Sequence, residues 1–109
     1  MRTLSWLCVF LLTVTVINYP NPFNPKGGES ITIECTSDVS TEASFHIYDM
    51  AARQVLIKTF TLSNGSTTRT TWDGYSDFNE KVGNGIYPYQ IVAPGLGRVA
   101  KGKIWVINH

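Results

Sequence analysis

Apolar and polar residues alternate in short runs between Ile31 and Ile107, and few folds accommodate such a pattern. In Ile31–Cys35, for example, every second residue is apolar and the residues between them are polar. A period of two places successive side chains on opposite faces of a β-strand, so each run predicts a strand with one buried face. The predicted strands are Ile31–Cys35, Ala43–Tyr48, Gln54–Leu62, Thr67–Trp72, Ile86–Ala93 and Val99–Ile107.

An extended, proline-containing segment before Ile31 adds one more strand, which brings the count to about seven. Turn residues recur every ~8–12 positions, a spacing typical of an Ig-like sandwich or a small barrel. No run after residue 17 has the periodicity and length of an amphipathic helix. We therefore predict an all-β chain, an Ig-like antiparallel β-sandwich of about seven strands, and its 109 residues allow one domain.

One predicted strand, Gln54–Leu62, does not keep its alternation. Val55 and Ile57 fall on one parity, whereas Phe60 and Leu62 fall on the other. A β-bulge inserts one residue into a strand and reverses the parity beyond it. We therefore predict a bulge near Lys58–Thr59.

The first stretch of the chain, Met1–Ile17, is apolar, and Arg2 is its only charged residue. A basic start followed by an apolar run is typical of a secretory signal peptide, and the run is shorter than the ~20 residues that cross a bilayer. We predict a signal peptide or N-terminal apolar segment at 1–16 and the sandwich domain at 17–109. Two alternatives stay open, an uncleaved anchor and a first strand over Thr13–Asn18, which is rich in β-branched residues.

Charge and cysteine content exclude several classes of protein. The net charge is +1, which gives no general attraction to nucleic acid, anionic membranes or acidic substrates. Cys8 lies in the apolar start, and Cys35 alternates with Ile31 and Ile33. We expect Cys35 to be a buried small apolar residue rather than half of a disulfide, so the stability must come from the core.

Catalysis requires titratable groups that converge on one site, and the sequence offers few. His46 lies between Phe45 and Ile47 on a predicted strand, where we expect it to be exposed or half-buried, and His109 is the last residue. Neither histidine has a companion at the spacing of a metal site, and no nucleophile elbow or phosphate-binding loop is present. We expect no catalytic residue, no cofactor, no small-molecule substrate and no enzymatic activity.

The polar segment from Asp73 to Glu80 is the candidate for a metal site. Asp73, Asp77 and Asn79 carry oxygen ligands a few positions apart, and such a spacing can surround calcium. The alternative is turn chemistry, in which Asp and Asn side chains bond to their own backbone. The turn interpretation is preferred, so we predict no metal site and keep calcium only as the alternative.

Several short motifs have physical roles of their own. The segment Tyr19–Pro25 contains three prolines, which forbid a helix and favour an extended edge segment. Trp72 is a large apolar residue at the end of its strand, just before the turn residues Asp73 and Gly74. Tyr87 and Tyr89 share one face of their predicted strand. Their rings suit the core, and their hydroxyls are able to reach a loop backbone.

These motifs, in this order, resemble the Ig-like domain of the flagellar hook-capping protein and the related C-terminal sorting domains of type IX secretion. The resemblance covers Tyr19 to Asn108. The family-motif residues that it singles out are Tyr19, Pro20, Asn21, Pro22, Phe23, Trp72, Asp73, Gly74, Gly85 and Tyr87, and the Ile47-Tyr48-Asp49 and closing Lys101–Ile107 segments also match.

The sequence departs from the family pattern in three places. Ala52 stands where the family has glycine, so its turn must avoid a positive φ angle or accept strain. Asn79 lies near an expected loop glycine, and asparagine tolerates the left-handed region. Such modules also normally end a long secreted protein, whereas here the module follows the predicted signal peptide directly.

Three residues of the predicted last strand, Lys101, Lys103 and Trp105, are the candidates for recognition by a partner. If Ile104 faces the core, alternation turns all three outward. Arg98 extends the basic patch, and edge protection against unwanted strand pairing is the alternative role for its cations.

The resemblance implies a non-enzymatic module for sorting or surface attachment, secreted or held at the cell surface after passing through the periplasm. Its expected partners are proteins, either the secretion machinery or neighbouring subunits, with no nucleic acid, and it would contact a membrane only through an uncleaved N-terminal segment. One alternative is a scaffold module like the hook-capping domain. Another is a carbohydrate-binding module in which sugars stack on Trp72, Trp105 and the tyrosines.

Overall fold

A computed structural model of the chain describes residues 14–108 as seven strands and one short 3-10 turn. The strands are β1 (Val14–Tyr19), β2 (Ile31–Ser37), β3 (Thr41–Tyr48), β4 (Gln54–Leu62), β5 (Ser66–Trp72), β6 (Gly85–Ala93) and β7 (Gly97–Val106). The 3-10 turn, Pro25–Gly27, lies between β1 and β2. Within the described residues, no helix has the length and apolar character needed to cross a membrane.

The strands form two antiparallel sheets packed face to face. The three-stranded sheet has the order β1-β2-β5, and the four-stranded sheet has the order β4-β3-β6-β7. Neighbouring strands are antiparallel throughout both ladders. The predicted all-β sandwich of about seven strands is therefore confirmed.

The core consists of the alternating apolar side chains that the sequence singles out. On β2, Ile31, Ile33 and Cys35 are fully buried, while Thr32 and Glu34 between them are only half-buried. The rings of Phe45 on β3 and Tyr89 on β6 meet edge to face at 5.2 Å, a favoured geometry for aromatic pairs. The fully or almost fully buried apolar residues also include Phe23, Ala43, Ile47, Leu62, Trp72, Ile91, Ile104 and Val106.

The predicted bulge near Lys58–Thr59 is wrong, because the extra residue of β4 is Val55. Ile47 pairs with Leu56 and Tyr48 pairs with Gln54, so Val55 has no opposite residue. The bulge turns Val55 into the core, whereas Ile57 is 38% exposed on the outer face. Parity gave the wrong position because it counted Ile57 with Val55 as a core residue, whereas the bulge at Val55 puts Leu56, Phe60 and Leu62 on the core side and leaves Ile57 outside.

The structure has an N-terminal strand, β1, in the region where the sequence left a first strand over Thr13–Asn18 open as an alternative. Val14–Tyr19 pairs with β2 along its whole length, from Val14 opposite Ser37 to Tyr19 opposite Thr32. The strand begins three residues before the predicted domain boundary at residue 17, so residues 14–16 belong to the sandwich. The predicted signal peptide otherwise lies outside the described residues and stays a prediction.

Ala52 and Asn79 both adopt the left-handed region, with φ angles of 64° and 61°. The turn at Ala52 therefore accepts strain instead of avoiding it. Asp49 compensates in part, because its carboxylate accepts hydrogen bonds from the backbone N–H groups of Ala51 and Arg53, both at 2.9 Å. These bonds, the Arg53 backbone N–H first among them, lower the pKa of Asp49.

We expect Ala52→Gly to raise the free energy of unfolding by about 1 kcal/mol. A left-handed alanine costs ~1–2 kcal/mol, and glycine loses only part of that gain through its freedom in the unfolded chain. Urea denaturation measures the change. Ala51→Gly in the same turn is the matched control and should lower stability slightly. Equal effects of the two substitutions would contradict this account of the strain.

Burial also raises the pKa of the Cys35 thiol from its ordinary 9.0 to about 11. A raised folded pKa means that the stability from the neutral thiol is complete below pH 9 and is lost as the pH rises toward 11. We expect the free energy of unfolding to fall less between pH 9 and pH 11 in Cys35→Val than in the native chain, as measured by denaturation at each pH. Parallel pH curves for the two proteins would overturn the expectation.

Candidate functional site

The separate pieces of the family motif come together at one end of the core. Phe23 is fully buried, and its ring centroid lies 5.8 Å from that of Trp72. Trp72 in turn meets Tyr87 edge to face at 6.0 Å. Three aromatic rings from three distant parts of the sequence thus form one cluster, and the predicted core position of Trp72 is confirmed by an exposure of 3%.

The polar atoms of this cluster are all used within the fold. The Trp72 indole N–H donates to the Tyr75 carbonyl at 2.9 Å, and the Tyr87 hydroxyl donates to the Gly83 carbonyl at 2.8 Å. Burial raises the pKa of Tyr87, and the nearby Asp49 charge adds to the effect. The expectation that the Tyr87 hydroxyl reaches a loop backbone is therefore confirmed, and the group serves the fold.

Gly74 allows the proline segment to approach the turn that follows Trp72. Its φ angle is 87°, and a Cβ atom there would lie 2.6 Å from Cβ of Pro25. Any larger residue would need both a strained backbone and a displaced Pro25. The Trp-Asp-Gly motif and the Tyr-Pro-Asn-Pro-Phe motif are thus two halves of one contact.

The proline segment also pairs with the last strand. Phe23 donates its N–H to the Trp105 carbonyl at 2.8 Å and accepts from the Ile107 N–H at 3.0 Å, in a parallel bridge. The Asn21 side chain accepts from the Trp105 N–H at 2.9 Å, and the Asn18 side chain donates to the Lys103 carbonyl at 3.2 Å. The outer edge of β7 is therefore covered from Lys103 onward.

The proline segment contains two cis peptide bonds. The Tyr19–Pro20 and Asn21–Pro22 peptide bonds are both cis. Tyr19 remains 43% exposed, and its hydroxyl donates to the Glu34 carboxylate at 3.4 Å on the outer face of the three-stranded sheet. The first family motif therefore contributes to structure along its whole length.

The calcium alternative concerns the loop between β5 and β6. Asp73 accepts a hydrogen bond from the Tyr75 N–H at 3.0 Å, as expected of a turn. Asp77 instead binds β4, donating its N–H to the Val55 carbonyl at 2.9 Å and accepting from the Ile57 N–H at 3.0 Å. Within residues 14–108, no three His, Cys, Asp or Glu side chains come close enough to hold a metal ion.

Lys101, Lys103 and Trp105 lie together on the outer face of the four-stranded sheet. Ile104 and Val106 face the core with no exposure, and Trp105 between them is 48% exposed. The predicted outward position of Trp105 is therefore confirmed. We call this surface of β6 and β7, together with the adjoining part of β3, the basic face.

A second bulge brings Arg98 onto the basic face. With strict alternation, the Arg98 side chain would point to the opposite side of the sheet from those of Lys101 and Lys103. However, Ile91 pairs with Ala100 while Val92 pairs with Arg98, so Val99 is an extra residue. The bulge shifts the phase by one residue and turns Arg98 to the side of the two lysines.

A shallow cleft of about 390 Å³ crosses the basic face. Its floor includes Tyr48 and Pro88, with Gln90 beside them, and its rim carries the three cations. The Gln90 amide donates to the Tyr48 hydroxyl at 3.2 Å, and the Tyr48 ring stacks on half-buried His46. The half-buried position expected for His46 is thus confirmed, whereas His109 lies outside the described residues.

Sequence reasoning did not select these floor residues. Pro88 and Gln90 alternate with the core residues Tyr87 and Tyr89, so their outward direction could have been read from β6 alone. Their meeting with Tyr48 depends on the order of β3, β6 and β7 in the sheet. That order is a property of the tertiary fold.

We expect the two tryptophans of the described module to respond differently to truncation. Trp72→Ala should lower the free energy of unfolding by ~3–5 kcal/mol because it empties the aromatic cluster. Trp105→Ala should lower it by only about 1 kcal/mol because about half of the residue's surface is already in water. Urea denaturation of both variants is the measurement, and similar losses would contradict the assignment of Trp105 to a surface.

No protein-family model matches the chain, and no curated protein matches it either. Solved structures do match. Dimeric latent PorU from Porphyromonas gingivalis aligns with a TM-score of 0.73 and 27% sequence identity, over 88% of this chain and 9% of PorU. PorZ from the same organism, an essential bacterial surface component of the type IX secretion system, aligns with a TM-score of 0.58 and 23% identity.

The PorZ alignment covers 84% of this chain and 11% of PorZ. The DNA glycosylase AlkC from Pseudomonas fluorescens, bound to DNA, shares the fold at a TM-score of 0.56 but only 14% identity, over 87% of this chain and 30% of AlkC. This chain thus spans about a tenth of the length of PorU and PorZ. It has the fold of a module that occurs in a surface component of the type IX secretion system.

Proposed function

We propose that this chain is a non-enzymatic, exported module for sorting or surface attachment of the type IX C-terminal domain kind. The observation that carries the proposal is the fold shared with PorZ, a surface component of the type IX secretion system, and the alignment with PorU of the same organism, at 27% identity over 88% of the chain, adds to it. A second observation supports the proposal: the separate family motifs meet in one aromatic cluster. Motif residues that contact each other in the core indicate that the resemblance reflects a shared fold and not a chance match. Secretion machinery would then recognise the folded module.

The last two strands are the part of the module that the proposal assigns to recognition. The basic face lies on β6 and β7 and is held rigidly from behind by the core, with Ile104 and Val106 fully buried. The proline segment fixes the end of β7 through the hydrogen bonds of Phe23. A rigid, preorganised surface loses little conformational entropy when a partner binds.

The carbohydrate-binding alternative loses one of its two tryptophans. Trp72 is 3% exposed and its indole N–H is bonded to Tyr75, so no sugar can stack on it. Of the two tryptophans named for this role, Trp105 is the one that remains exposed. We therefore favour a protein partner over a glycan.

A reporter fusion tests the proposed function. Residues 14–109, placed at the C-terminus of a periplasmic reporter, should carry the reporter to the cell surface or the medium in a type IX-competent host. The same fusion in a host without the type IX system should stay in the periplasm. Periplasmic retention in the competent host would contradict sorting.

The start of the fused module matters for this experiment. A fusion of residues 20–109 lacks β1, which pairs with β2 at six positions, and is the control for dependence on a complete sandwich. It should be retained or degraded. Equal export of both fusions would show that the signal does not depend on β1 and the complete sandwich.

A further inference from the structure

We propose that the basic face binds an extended acidic segment of a protein partner, with carboxylates at alternate positions. The inference rests on the proposed function in one respect, that the module is bound by another protein. The chemistry of the partner is argued from the cations, the cleft and the strand spacing of this chain.

The cations of the basic face form a row along β7. Lys101 and Lys103 are two positions apart on the same side of one strand, which separates their Cα atoms by ~6.6 Å. Carboxylates at alternate positions of an extended partner repeat at the same distance. The bulge at Val99 adds Arg98 to the row, so the face offers three cations in line.

These three cations are not neutralised within the described module. Arg53 and Arg69 form ion pairs with Asp49 and Glu34, but no carboxylate of residues 14–108 lies within 4 Å of the basic groups on the basic face. Lys58 and Lys81 are also engaged, the first with the Thr71 carbonyl at 2.7 Å and the second over the Tyr75 ring. Among the described cations that pair with no carboxylate, Lys26, Lys58 and Lys81 lie elsewhere, and the basic face is where three lie together.

Among the strands of the four-stranded sheet, the one carboxylate on this face is that of Glu42, which lies on β3 and is separated from β7 by β6. Glu42 pairs with Thr61 of β4, outside the stretch of β3 that pairs with β6. It marks one boundary of the positive surface. At the opposite end of the row, half-exposed Trp105 provides an apolar neighbour, and aromatic residues and arginine are enriched where proteins meet.

The cleft floor supplies contacts for the partner's backbone and small side chains. Pro88 and Tyr48 are half-buried, and the Tyr48 hydroxyl and Gln90 amide lie between the apolar surfaces as hydrogen-bonding groups. A second copy of this chain fits poorly, because two basic faces would bring like charges together. An acidic segment instead complements both the row of cations and the floor.

Fluorescence anisotropy with the purified full chain tests the inference. The probe is a labelled peptide, Glu-Thr-Glu-Thr-Glu-Thr-Glu, and the same peptide with Gln for Glu is its uncharged match. We expect saturable binding of the acidic peptide, at least about tenfold tighter than the uncharged one and weakened by salt. No difference between the peptides would overturn the proposal.

Charge-reversal variants locate the site. The pair Lys101→Glu and Lys103→Glu should weaken peptide binding at least about tenfold, and Arg98→Glu should weaken it as well. The pair Lys26→Glu and Lys81→Glu changes the net charge equally at exposed positions off the basic face, and its binding should stay within about twofold. Equal losses in both pairs would mean that only net charge matters and would overturn the site. Denaturation curves verify that each variant is folded.

Dextran sulfate and phosphatidylglycerol vesicles distinguish other anionic partners. The proposal of a peptide occupant would be overturned if the native chain bound either of these anions but not the acidic peptide, and if the pair Lys101→Glu and Lys103→Glu abolished that binding. The experiment uses purified components. A failure to bind the peptide alongside successful reporter export would therefore reject this inference and leave the proposed function standing.

Discussion

The contact of Phe23 with Trp72 and β7 holds the two sheets together at one end of the sandwich. Its buried ring contributes ~1.5–3 kcal/mol through apolar burial, and its backbone extends the pairing of the last strand. The contact is possible only because Gly74 leaves room for the adjoining proline. Much of the family motif therefore encodes one junction, and the junction supports the strand that carries the basic face.

The exposed edges of the sheets are covered by groups from outside the ladders. Asp77 uses its backbone N–H and its carboxylate to occupy the edge of β4 beside the Val55 bulge. Lys58 crosses from β4 to the Thr71 carbonyl of β5, which places a charged side chain at the gap between the sheets. The residues that resembled a calcium site thus include one that protects an edge.

Alternation was sufficient to predict the sandwich, the core side of each regular strand, and the outward direction of Lys101, Lys103 and Trp105. It failed where one extra residue changes the phase, at Val55 and Val99, because a bulge is placed by pairing with a neighbouring strand. The cleft was out of reach for a related reason. Its floor joins Tyr48 to Pro88 through a strand order that no local pattern encodes.

The parallel direction of Phe23 and Val106 determines how the module would carry a mechanical load. Because the chain runs the same way along β1, the proline segment and β7, the start of β1 and the end of β7 lie at opposite ends of the sandwich. Tension between those ends acts along the strands. It loads the hydrogen bonds of β1 with β2, and those of Phe23 with β7, at the same time and in shear. A pull on an attached body would therefore meet the sandwich in its most resistant direction, with no strand peeled away bond by bond.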